Sequence, residues 1–161
     1  MELYILRHGI AEDPRPGQRD ADRRLVPEGE RKLKQVLKQA RQAGVEPSRI
    51  LASPYVRAQE TAVIARAVLG VDEEIVNETT LTPEGSPAGV WTAIRANRDV
   101  PSLLLASHEP LCGYLAGYLL HSPSLLVDVK KGALIRIDLD RFGPEPRGIL
   151  RWMLTAGLAS A

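Results

Sequence analysis

Three short apolar runs constrain this chain most, because each ends abruptly in polar or charged residues. Leu3-Tyr4-Ile5-Leu6 runs into Arg7-His8-Gly9, and Ile50-Leu51-Ala52 runs into Ser53-Pro54-Tyr55-Val56-Arg57. Leu103-Leu104-Leu105-Ala106 runs into Ser107-His108-Glu109-Pro110. Short apolar runs bounded by turn signals read as buried strands. The last is apolar throughout, as a central strand covered on both faces requires.

Helical patterns separate the runs. Pro27 suits the first turn of a helix reaching about Ala43, with Leu33, Val36, Leu37 and Ala40 on one face and Gly44 as its stop. Ser53 reads as an N-cap and Pro54 as the first position of a second helix, which ends at Leu69 and Gly70. Further helices are read near residues 87–97 and from about Pro110 to Leu120. A short strand is read at 74–77, and three more at 125–130, 133–139 and 148–154. The turn-rich Arg141–Gly148 joins the last two as a hairpin. Residues 11–24 read as a charged loop whose Pro and Gly content opposes regular structure. Strands alternating with helices imply βαβ units and a mostly parallel sheet. The expectation is an α/β fold, a three-layer α/β/α sandwich in one domain spanning residues 1–161. Aromatic residues are only 4%, so Leu, Val, Ile and Ala must fill the core.

Composition excludes several function classes. A net charge of +1 provides no global field to draw nucleic acid or an anionic membrane. The single cysteine, Cys112, rules out an internal disulfide and a cysteine zinc cage, and no metal-ligand spacing appears. No apolar run approaches membrane-spanning length. The first strand starts within a few residues of Met1, no signal peptide is read there, and a cytoplasmic protein is expected.

Ligands of open α/β sheets bind outside the carboxyl ends of the strands. Three strand ends deliver Arg7, Arg57, His8 and His108 to that side. Two guanidiniums and two imidazoles converging there form a receptor for a phosphoryl group. Arg57 is the local anomaly, a cation in the first turn of its helix, where the dipole disfavours it. A bound phosphate would compensate it; the plain alternative is surface pairing with Glu60 or Glu28. The remaining residues have structural readings. His121 suits a surface position at a helix end, Cys112 a core position, and Trp91 and Trp152 packing. Ser107 suits backbone satisfaction, and Gly9 a close backbone approach near the phosphate. Glu109 either tunes His108 or faces solvent.

Leu6-Arg7-His8-Gly9, Ser53-Pro54-Tyr55-Val56-Arg57-Ala58-Gln59-Glu60-Thr61-Ala62 and Ser107-His108-Glu109-Pro110 together resemble the motifs of the histidine phosphatase superfamily, whose fold is phosphoglycerate-mutase-like. Arg24-Leu25 leading to Gly29, and Leu81-Thr82-Pro83, resemble the short SixA-type phosphohistidine phosphatases. The resemblance implies that His8 is the nucleophile and becomes transiently phosphorylated. It implies that Arg7, Arg57 and His108 bind the phosphoryl oxygens, with no metal and no cofactor. Many members carry an acid that protonates a leaving alkoxide; Glu78 and Glu84 are the candidates here, neither in the usual context. An imidazole leaving group, conjugate to an acid of pKa about 6.5, needs far less help than an alkoxide. The weak acid position therefore points to a phosphoramidate. The stretch from Glu78 to Pro87 has no room for a cap domain, so an open site able to admit a residue of another protein is expected. The expected activity is removal of a phosphoryl group from phosphohistidine on a protein, such as a histidine phosphotransfer domain. The alternatives are a phosphomonoesterase for a small phosphorylated metabolite and a non-catalytic phosphate-binding module. No nucleic-acid or membrane partner is expected, and the chain is expected to be a monomer.

Overall fold

A computed structural model describes residues 1–160. In chain order the elements are β1 (Glu2–Arg7), α1 (Pro27–Gln42), β2 (Arg49–Ala52), α2 (Val56–Leu69), β3 (Val76–Asn77) and α3 (Pro87–Ala96). There follow β4 (Ser102–Ser107), α4 (Leu111–Leu119), β5 (Leu134–Asp138), β6 (Ile149–Leu154) and α5 (Ala156–Ala159). The strands form one sheet in the order β3-β2-β4-β1-β5-β6. The pairs β1–β4, β2–β4 and β2–β3 are parallel, while β5 runs antiparallel to both β1 and β6. The mostly parallel sheet and the hairpin read from the sequence are both present.

Pleat alternation explains the two helical layers. Leu3 and Ile5 of β1, with Leu103 and Leu105 of β4, pack toward α3 and α4. Tyr4, Leu6, Leu104 and Ala106 face the other way, toward α1 and α2. All are buried, which leaves the two central strands without a polar face. α2 lies close to the sheet through Ala58, Ala62 and Ala65, whose small side chains permit the approach. No helix among the described residues is long and apolar enough to cross a membrane.

Two sequence readings fail. Residues 125–130 form no strand. The slot beside β1 is occupied by β5, and a turn at Gly132 (φ 76°) delivers β5 there. The Gly132 amide donates to the carbonyls of both Arg7 and His8. α2 begins at Val56, with Tyr55 as its N-cap and no side-chain cap, so Pro54 lies outside the helix. The Ser53 hydroxyl is engaged 2.8 Å from His108 Nε2 and only brushes the Tyr55 amide at 3.3 Å. The loop at 11–24 also holds one short 3₁₀ turn, Asp20–Asp22.

Gly9 has a different role from the one expected. Its close approach is to Gly29 of α1: a Cβ on Gly9 would lie 3.3 Å from the Gly29 carbonyl oxygen. A Cβ on Gly29 would overlap the main chain of Ile10. The crossing fixes the segment leaving β1 directly against the first turn of α1. Gly29→Ala is expected to destabilise the fold by about 1–3 kcal/mol, the usual range for overpacking, read by urea unfolding. A midpoint equal to that of the parent protein would contradict this account.

Candidate active site

The carboxyl ends of β1, β2 and β4 open on one side of the sheet, as their parallel pairing requires. The loops that follow them, with the start of α2, bring Arg7, His8, Arg57 and His108 to the wall of one cavity of about 260 Å³. His8 and His108 lie side by side, with ring centroids 5.1 Å apart. The four groups read as a cluster from the sequence therefore do converge.

His8 is held at both ends. Its amide donates to the Ser107 carbonyl, continuing the β1–β4 ladder one residue past the strands. Its ring Nδ1 lies 2.7 Å from the Gly9 carbonyl oxygen. A carbonyl only accepts, so Nδ1 carries the proton and Nε2 keeps a lone pair. Nε2 is aimed at Arg57, whose Nε donates to it at 3.3 Å. The carbonyl of Gly9 thus sets both the tautomer and the direction of the free nitrogen.

Arg57 is only 4% exposed, although it is the second residue of its helix. It pairs with neither Glu60 nor Glu28. Glu60 instead accepts from the Leu25 amide at 3.0 Å, and Glu28 stands near Lys32. Its partner is Asp20, in the 3₁₀ turn of the charged loop. The guanidinium donates to the Asp20 carbonyl at 2.7 Å and to its carboxylate at 3.0 Å. Asp20 and Arg23 both line the cavity, so the charged loop does border its mouth. Burial opposes ionisation of Asp20, but hydrogen bonds from Arg23 and Arg57 outweigh it and hold the carboxyl below its ordinary range.

His108 is 1% exposed and its Nε2 meets Ser53 Oγ at 2.8 Å. Tyr55 covers it edge-on at 5.0 Å. Its Nδ1 and the Nε of Arg7 are buried nitrogens with no hydrogen-bond partner among the described residues. Such atoms cost free energy unless something meets them. An oxyanion in the cavity fits both. Arg7 is otherwise fixed by donation to the Val129 carbonyl at 2.8 Å.

Both imidazoles are neutral near pH 7. Burial pushes His8 down to about 4, reinforced by the Arg57, Arg7 and Lys131 charges and opposed by the Gly9 carbonyl. Burial likewise pushes His108 down to about 3, reinforced by His8 and Arg57.

Neither Glu78 nor Glu84 lines the cavity. Glu78 caps the turn at Thr79–Leu81, accepting from the Thr80 amide and hydroxyl at 3.2 and 2.9 Å. Glu84 accepts from the Tyr55 hydroxyl at 3.3 Å. The carboxylates that do line it are Asp20 and Glu109, and Glu109 accepts from the Gly113 amide at 2.6 Å. Asp20 carried no local signal, because its pairing depends on how an irregular loop folds back. Thr61 was findable: it lies four residues after Arg57 on the same helix face. Its hydroxyl donates to the Arg57 carbonyl at 2.7 Å and accepts from the Gly9 amide at 3.2 Å. Ser107 satisfies the Leu81 carbonyl at 2.7 Å, as read.

An α/β/α sandwich with paired histidines and arginines at its strand ends defines a class of phosphoryl-binding proteins, and comparison with known proteins narrows it. Residues 3–82 match the family model of the histidine phosphatase superfamily, branch 1. An uncharacterized protein of Picosynechococcus sp. is 36% identical over 116 residues, which is 70% of this chain and 69% of that one. Phosphohistidine phosphatase SixA of Escherichia coli K12 is 28% identical over 159 residues, covering 96% and 94% of the two chains. A structure of the protein histidine phosphatase SixA complexed with tungstate superposes with a TM-score of 0.85 at 27% identity, covering 98% of each chain. The chain belongs to the histidine phosphatase superfamily.

Unfolded histidines titrate near pH 6.5 and take up protons that the native rings refuse, so stability falls as pH drops from about 6.5 through 4. Side-chain ¹⁵N NMR is expected to find His8 and His108 unprotonated down to about pH 5. Protonation of either near 6.5 would contradict the burial argument.

Proposed function

We propose that the protein is a metal-independent phosphatase that removes the phosphoryl group from phosphohistidine on another protein, by way of a phosphohistidine intermediate at His8. The observation that carries this reading is the lone pair on His8 Nε2, set by the Gly9 carbonyl and surrounded by cationic donors.

In this reaction His8 Nε2 attacks phosphorus in line as the phosphorus–nitrogen bond of the substrate breaks. The other nitrogen of the substrate ring already bears a proton, so the leaving nitrogen keeps the electron pair and departs as neutral imidazole. Arg7, Arg57 and the Nδ1 of His108 hold the three equatorial oxygens, whose charge grows in a loose transition state. Those guanidiniums supply the positive charge that a metal provides in other phosphoryl-transfer sites. Water then attacks the phosphorylated His8, releasing inorganic phosphate and restoring the ring. Neutrality of His8 across the physiological range keeps the nucleophile competent throughout.

The substrate class follows from the carboxylates. Of the two carboxylates that line the cavity, Asp20 is held ionised by two arginines and donates a proton poorly, and Glu109 is turned to the Gly113 amide, from which it accepts at 2.6 Å. Glu78 and Glu84 are engaged away from the cavity. A site without a ready acid suits a leaving group that is itself a weak base, and imidazole is one where an alkoxide is not. The SixA relatives, a phosphohistidine phosphatase and a protein histidine phosphatase, support the same choice.

His8→Ala is expected to abolish turnover while tungstate still binds by calorimetry, because three of the four anion ligands remain. Arg57→Ala should lower kcat/KM by roughly 10³, the scale of a transition-state cation. Wild-type activity is expected to survive excess chelator and to favour a phosphohistidine protein over a sugar phosphate. Preference for the sugar ester would overturn the leaving-group argument, and full activity in His8→Ala would remove the nucleophile.

A further inference from the structure

A second cavity, of about 400 Å³, adjoins the first, and Glu109 lines both. It runs between α4 and the segment that follows α4, and its other walls include Pro110, Tyr114, Leu125, Leu126 and Val127. Its apolar side chains face water. Leu126 is 93% exposed, Tyr114 60% and Leu125 40%. Contiguous apolar side chains exposed in this way mark interaction sites.

The exposure is built into the fold. The Ser122 amide donates to the Gly117 carbonyl at 2.8 Å, and the Leu125 amide to the Ser122 carbonyl at 2.9 Å. The segment lies so close to α4 that a Cβ on Gly117 would come within 2.9 Å of the Ser122 carbonyl oxygen, and one on Gly113 within 3.2 Å of the Val127 carbonyl oxygen. Val129, just beyond, is buried and accepts from Arg7. The leucines are therefore presented by a segment fastened at one end to α4 and at the other to a phosphoryl-binding arginine.

We propose that this groove docks an apolar helical face of the phosphoprotein substrate, an inference that rests on the function proposed above. Continuity with the cavity carries it. The groove starts at Glu109, the residue after His108, and Tyr114 stands about 4.5 Å along α4 from its first residue, Leu111, at 1.5 Å per residue. A phosphohistidine entering the cavity from a helix brings the side chains one and two turns away over Tyr114, Leu125 and Leu126. An aliphatic side chain there buries against the leucines. Asp128 is paired with Lys130 at 2.9 Å, which leaves Glu109 as the flanking acid that favours a neutral or basic residue beside it. A small phosphorylated molecule filling the first cavity leaves this groove untouched, so the groove separates protein substrates from small ones.

The test uses Leu126→Asp and Tyr114→Ala, both surface changes outside the phosphoryl site. The probes are a histidine phosphotransfer domain phosphorylated with phosphoramidate, and free phosphohistidine. Each variant should lose about tenfold or more in kcat/KM on the domain, chiefly through KM, the effect of one well-buried apolar side chain. Turnover of free phosphohistidine should stay within about twofold, inside the kinetic scatter of a change that leaves transition-state contacts intact. Equal losses on both probes, or none on either, would overturn the docking surface and leave the phosphatase reading standing. A wild-type protein inactive on both probes would instead sink the phosphatase reading, and the docking proposal with it. A dimer in sedimentation that Leu126→Asp dissolves would overturn the proposal in favour of a second copy of this chain as the occupant.

Discussion

One hydrogen bond, from His8 Nδ1 to the carbonyl of Gly9 at 2.7 Å, governs the site. An imidazole that donated from Nε2 would turn its proton toward the cations and have no lone pair to offer there. The bond forms because the backbone around it has little freedom. The amide of Gly9 is held by Thr61, its Cα is pressed against Gly29 of α1, and the His8 main chain is bonded to Ser107 and Gly132. β1, β4, α1 and α2 all contribute to the orientation of one ring.

The electrostatics follow from the same crowding. Arg7, Arg23, Arg57 and Lys131 line a cavity with only Asp20 and Glu109 to oppose them. Protonated imidazoles among those cations would be costly, so burial and neighbouring charge both favour the neutral rings. Asp20 offsets Arg57 through a bond that uses a carboxylate where a phosphoryl oxygen would suit equally well. Arg7 Nε and His108 Nδ1 are left as buried nitrogens with no hydrogen-bond partner among the described residues.

Much of this was legible in the sequence, for identifiable reasons. The apolar runs of β1, β2 and β4 are short, sharply ended and alternate with helical periods, so the order of elements and the convergence of Arg7, His8, Arg57 and His108 followed from topology. What failed depended on contacts distant in sequence. Residues 125–130 carry a strand-like apolar run, but the sheet has no free place beside β1, and Leu125 and Leu126 are left facing water. Ser53 has the composition of a helix cap, yet His108 claims its hydroxyl and α2 starts three residues later. The partner of Arg57 was missed because nearby Glu60 and Glu28 were the visible choices, and the true one arrives from an irregular loop.

We propose that His8 attacks through Nε2, because Nδ1 is committed to the Gly9 carbonyl. Rapid acid-free quenching during turnover, followed by ³¹P–¹⁵N NMR of protein labelled in its histidine rings, tests it directly. The expected result is phosphorus bonded to Nε2 of His8. Phosphorus on Nδ1 of His8, on His108, or on no histidine while turnover proceeds would contradict it.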